Sequence, residues 1–185
     1  MNEAPETRRA PLGLLLDIAR LRASPADLPA SPTLLLLALV LNLLLTVLYL
    51  RAMPEEATYG RMFFGMAFGL ALIWSLLRIW GREARFLQTA IAMFGADALL
   101  TIAMLPVTIL LLQAGENDPK SGLSQLLFLL WLAIMVWSLI VSGHILRKAL
   151  ELPLLGGVAL AMALLLIQLS VGHWLFGMPV AQGSS

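Results

Sequence analysis

One carboxylate, Asp97, interrupts the run TAIAMFGADALLTIAMLPVTILLL over residues 89–112. An ionised Asp at a bilayer centre costs at least ~2.5–3.5 kcal/mol on the insertion scale. Such a group must be protonated, paired or turned towards a wet cavity. Two chemistries follow. A protonated Asp97 bonds a neighbouring helix as packing glue, worth ~0.6–2 kcal/mol. An exchanging Asp97 is a proton- or cation-coupling site. The residue types favour the strut, because no second ionisable group shares its level.

Other chemistries lack their residues. The chain has no cysteine, which excludes disulfides, thiolate metal sites and cysteine nucleophiles. His144 and His173 are its two histidines, and the carboxylates are scattered. No metal cage and no cofactor are expected. The stretch VSGHI, 141–145, raises an intramembrane serine protease, but the glycine-flanked serine motif of that class is absent. Threading puts His144 and His173 near opposite ends, as interfacial polar groups, so no catalytic constellation forms. A net charge of +1 indicates no nucleic-acid partner.

The elements that must position Asp97 are membrane spans. Of 185 residues, 60% are hydrophobic and 12% charged, with mean hydropathy +0.90. A soluble domain carries about 25% charge. Five stretches approach the ~20 apolar residues that cross a bilayer: roughly 33–50, 62–80, 87–112, 123–146 and 154–176. The expected fold is an all-α, integral membrane five-helix bundle over 31–177, because lipid offers no partner for unpaired backbone groups. Ser31-Pro32 is a helix-start signal before the first span.

Charge sets the threading. One side receives Arg8, Arg9, Arg20, Arg22, Arg78, Arg82, Arg85, Arg147 and Lys148; the other receives Arg51, Arg61 and Lys120. The positive-inside rule puts the N-terminus in the cytoplasm and the C-terminus outside. Asp97 then lies about 13 Å into the bilayer, near the midplane. Asn42 and Ser138 share its depth, and Gln168 sits one turn further out. Thr101 and Thr108 follow it on one helix face. The second span offers Gly69 at that level. Arg78 and Arg85 stay near the cytoplasmic end, so no buried salt bridge is expected. Small faces at Gly65 and Gly69, and at Gly157 and Ala161, suit close helix packing. Pro106 is a kink candidate. Trp80 and Trp174 are expected at the interfaces, Trp131 and Trp137 in packing.

Residues 1–30 form a cytoplasmic segment. TRRAPLGLLL faintly resembles a twin-arginine signal, but Asp17 and Arg20 break its apolar run, so retention is expected. Over 11–22, Leu14, Leu15, Ile18 and Leu21 oppose Gly13, Asp17, Arg20 and Ser24 on a helical wheel. This predicts an amphipathic helix lying in the cytoplasmic membrane interface, with a partner-protein groove as the other reading of the same face. The tail 178–185 is expected to be disordered and extracytoplasmic.

Two segments carry a family resemblance. GREARFLQTAIAMFGADALL, 81–100, and LWLAIMVWSLIVSGHILRKAL, 130–150, have a basic turn, an Arg-Phe start, a mid-helix Gly and a Trp-rich span. The chain resembles the bacterial branch of the Yip1-type multispanning membrane proteins over roughly 58–176. The resemblance implies five helices, a bacterial inner membrane and no catalytic residues. Eukaryotic relatives partner small GTPases in vesicle traffic; their N-terminal aromatic-Gly-Pro motif is absent here. The expectation is a non-enzymatic inner-membrane protein that organises or stabilises a complex. Its expected partners are the lipid bilayer and a homo-oligomer or larger membrane complex. The alternative is a small transporter or channel subunit using Asp97.

Overall fold

The computed structural model describes residues 10–52, 59–118 and 120–177. The tail 178–185 and the arginines at 8 and 9 lie outside the described residues. Six α-helices are present among the described residues: α1 Pro11–Ala19, α2 Pro32–Ala52, α3 Tyr59–Ile79, α4 Phe86–Asn117, α5 Gly122–Leu150 and α6 Leu154–Phe176. Short 3-10 turns at Pro25–Asp27 and Glu83–Arg85 join them, and no strand occurs there. Helices α2 to α6 are long and apolar enough to cross a membrane. The third stretch runs longer than its hydropathy suggests. α4 has 32 residues, about 48 Å at 1.5 Å per residue. Pro106 lies inside α4 without ending it.

Local chemistry sets the helix ends. Ser31 Oγ accepts from Leu34 N at 3.3 Å and Ser121 Oγ from Ser124 N at 3.1 Å, each capping a first turn. At the other ends, α1, α3 and α5 are each followed by a left-handed residue: Leu21 (φ 63°), Gly81 (φ 64°) and Glu151 (φ 59°). The next N–H then reaches back five residues, Arg22 to Asp17 O at 2.8 Å, Arg82 to Leu77 O at 2.7 Å and Leu152 to Arg147 O at 2.9 Å. Glycine adopts this backbone freely; Leu21 and Glu151 do so at a cost of about 1–2 kcal/mol.

The helices close a ring. α4 packs on α2, α3 and α5, and α6 packs on α3 and α5. α5 and α6 cross where two glycines meet. A Cβ on Gly143 would stand 2.7 Å from Val158 Cα, and one on Gly157 would collide with Gly143 O. Ala161, one turn on, is buried in the same contact layer with Leu146, Ala149 and Leu150.

Helix α1 has a protein seat. Leu15 and Ile18 are buried together with Ile91, Ala92, Ala96, Val141 and Ile145 of α4 and α5. The Leu15 side chain lies over Gly95, where a Cβ would stand 2.7 Å from its Cδ2. The apolar face predicted to meet lipid therefore meets the bundle, because Gly95 leaves a socket that a leucine fills. The helix ends at Ala19, before the predicted 22, since the Leu21 turn stops it. Three side chains then hold the carbonyls of the segment that follows. Trp137 Nε1 donates to Ala19 O at 3.1 Å, and His144 Nε2 donates to Ala23 O at 2.9 Å. Gln88 Nε2 reaches Ala26 O at 3.0 Å and Leu28 O at 2.8 Å. These bonds correct two expectations. His144 is fully buried rather than interfacial, and Trp137 is 42% exposed with its N–H spent on α1. Both side chains answer carbonyls that no helix ladder satisfies.

Candidate functional site

Asp97 sits midway along the bundle. It is the twelfth residue of α4, and Asn42 is the eleventh of α2. Tight packing of α2 on α4 brings them together, and Asn42 Nδ2 donates to Asp97 Oδ2 at 2.6 Å. Thr46, one turn along α2, donates to Asn42 O at 2.8 Å. Asn42 is 7% exposed, so its side chain is committed to this contact.

Two recesses meet at the carboxylate. The larger, about 410 Å³, lies between α3, α4, α5 and α6 and reaches Ser142, Ile73 and Ala161. The smaller, about 260 Å³, lies against α2 and reaches Thr46 and Met62. Gly65, Phe94, Asp97 and Gln168 line both. Asp97 keeps exposed surface, and that surface lines both recesses. The larger recess runs along α3 from Gly65 to Ile73 and along α5 from Met135 to Ser142, and the smaller runs along α2 from Asn42 to Thr46 and reaches Met62 of α3.

The other predicted polar residues divide. Ser138 lines the larger recess together with Asp97. Gln168 stands at the junction, and its Nε2 donates to Gly65 O at 3.1 Å. This contact uses the small face of α3, since a Cβ on Gly65 would meet Gln168 at 3.4 Å and one on Gly69 would meet Phe94 at 3.8 Å. Thr101 lines neither recess. Four residues turn a helix by about 400°, so a 40° offset carries Thr101 past the opening. Thr108 is buried and donates to Met104 O at 3.1 Å on its own helix. Ser142 and Phe94 line recesses without having been singled out for that layer. Ser142 is one turn beyond Ser138, a spacing that places both on one face.

Charge is kept away from this centre. Among the described residues the ion pairs are Arg82–Glu151 and Arg85–Glu151, at the end of the bundle. Arg82 holds both Glu151 oxygens, Nη2 lying 2.6 Å from Oε2. Arg85 adds 3.1 Å contacts to Glu151 Oε1 and to Ala149 O. The Arg82 hydrogen bond leads in lowering the Glu151 carboxyl to about 2, outweighing desolvation, with Arg85 assisting. No group of three or more His, Cys, Asp or Glu that could hold a metal ion occurs among the described residues.

No protein-family model, curated protein or solved structure matches this chain. Its own geometry therefore carries the functional argument.

Proposed function

We propose that this chain is a non-enzymatic, multi-pass membrane protein whose working centre is Asp97, a small transporter or channel-type subunit that handles a cation or a proton there. The observation that carries this reading is a mid-bundle carboxylate that lines two adjoining recesses and has a neutral amide as its hydrogen-bond partner. A strut needs a partner; it does not need open space beside it. Membrane placement is supported by the surface. In α2 and α6, 11% of the best apolar window is buried inside the chain, while Leu36, Leu37 and Leu155 are 62%, 63% and 83% exposed. That pattern suits lipid as the solvent.

A cytoplasmic N-terminus and an outer C-terminus belong to the same proposal. The basic segments around residues 20–28, 78–88 and 144–151 converge at one end through the Gln88, His144 and Glu151 contacts. This is the arrangement the positive-inside rule requires of a cytoplasmic side. In that frame α1 lies beside the bundle at the level of Gly95, deeper than a surface helix. The bacterial inner membrane enters through the Yip1-type resemblance alone.

Dicyclohexylcarbodiimide, a lipid-soluble carboxyl reagent, tests the centre directly. The expected result in membranes is a mass adduct on Asp97, absent in Asp97→Asn, and a pH-driven flux in proteoliposomes that the variant loses. An unreactive Asp97, with a variant as stable and active as the parent, would leave the glue role. The second reading, an organising subunit of a membrane complex, is favoured by the short connections and by exposed Leu123, Leu126 and Leu129 along α5.

A further inference from the structure

The larger recess is rich in acceptors. Asn42 spends Nδ2 on Asp97 Oδ2. Among the described residues nothing donates to the other carboxylate oxygen, Oδ1, and no cation pairs with it. Gln168 spends Nε2 on Gly65 O, which leaves its Oε1 on the wall, 3.9 Å from where a Gly69 Cβ would stand. Ser138 and Ser142 line the same space, and their hydroxyls bond no other described residue. One carboxyl group and three further acceptors thus border a volume of about 410 Å³. The rest of the lining is hydrocarbon and thioether, as at Ile73, Met93 and Leu164.

The shape of this mixture selects a ligand class. A bare Ca²⁺ or Mg²⁺ needs about six oxygens close around it, which these largely apolar walls do not supply. A volume of this order, mostly apolar with few convergent polar groups, suits a small organic molecule. The polar end of that molecule must donate and be positive. The geometry points to a small organic primary ammonium as the ligand of the larger recess, its –NH3+ on Asp97, with Gln168 and Ser138 of the same lining as its further acceptors and its apolar body between α3 and α5. This assignment rests on Asp97 being a working site, and it adds the chemistry of what is bound. An ammonium offers three donors to three acceptors. A quaternary ammonium offers none, an alcohol lacks the charge, and a carboxylate meets repulsion.

Calorimetric titration of the full chain in lipid nanodiscs, with empty nanodiscs subtracted, decides the assignment. The probes are n-hexylammonium, n-hexanol, hexyltrimethylammonium and hexanoate. Hexylammonium is expected to bind saturably, and the other three roughly tenfold or more weaker, the scale of a lost charged hydrogen bond. Asp97→Asn and Ser138→Leu are each expected to weaken hexylammonium by a similar factor, with helical content by circular dichroism unchanged. Should Asp97→Asn fail to fold, the probe series on the parent chain carries the same discrimination. Equal binding of hexanol or hexyltrimethylammonium overturns the ammonium assignment. So does the absence of saturable binding in a chain whose Asp97 still reacts with the carbodiimide, and the working-site reading then survives. An Asp97 that neither reacts nor binds removes both.

Discussion

At the scale of single residues, Asp97 and Glu151 show two ways of keeping a carboxylate. Asp97 has a neutral partner and open space; Glu151 has two guanidinium groups. Replacing Asn42 by Ala removes the donor on Oδ2. The expected cost is about 0.6–2 kcal/mol, the range for hydrogen bonds between spanning helices, measured by unfolding in mixed detergent micelles. Glu151 gives a pH dependence of known sign. The Arg82 hydrogen bond, with Arg85 assisting, lowers its folded-state carboxyl from an ordinary 4.5 to about 2. The stabilisation it supplies is complete above about 4.5, shrinks as pH falls and is gone below about 2. Amide protection at the α3–α4 and α5–α6 turns, taken relative to the intrinsic exchange rate at each pH, should therefore fall as pH drops between these values. Glu151→Gln should show faster exchange at neutral pH and lose that dependence. Unchanged protection in the variant would mean that the Arg82 contact contributes nothing to holding the turns.

At the scale of elements, two glycine sockets organise the packing, and they differ in tolerance. Gly143 faces the backbone of α6, with Val158 Cα at 2.7 Å from a built Cβ. Backbone cannot step aside, so Gly143→Ala must move α5 from α6, at about 1–3 kcal/mol for overpacking. Gly95 faces the far end of the Leu15 side chain, which can turn away. Gly95→Ala should be the milder change, and unfolding midpoints of the two variants compare them directly. Leu15→Ala empties the socket instead and is expected to cost about 2–3 kcal/mol. It should also raise protease cleavage within 11–28, while α4 and α5 stay intact. Equal cleavage of parent and variant would show that the Trp137, His144 and Gln88 bonds hold α1 by themselves.

At the scale of the whole molecule, the chain turns its leucines outward and its small and polar groups inward. The ring of α3, α4, α5 and α6 is filled unevenly: α5 and α6 meet through glycine, while α3 leans on α4 and α6 around a recess. In the proposed threading, a periplasmic-active reporter fused after Ser185 should be active, and one inserted at Glu83 silent. The opposite pair of signals would invert the topology.

The number of long helices was legible from hydropathy, because about 20 consecutive apolar residues leave few alternatives. A constant helical rise with charge-derived directions leads to the expectation that Asn42, Asp97 and Ser138 share a depth; in the structure Asn42 bonds Asp97 and Ser138 lines a recess with it. Their ends were less legible: α4 and α5 run past the apolar stretches, where capping and turn geometry rather than hydropathy decide. Rotation about each helix axis was beyond a one-dimensional reading. It puts Ser138 and Gln168 on the recess and Thr101 off it, and the uniformly apolar sequence gives no moment to set it. The seat of α1 was equally hidden, because an amphipathic face matches a lipid surface and a protein groove alike. Only the tertiary structure brought Leu15 to Gly95 and left recesses beside Asp97. Residue types put a carboxylate at mid-bundle; helix packing decided that it faces a cavity.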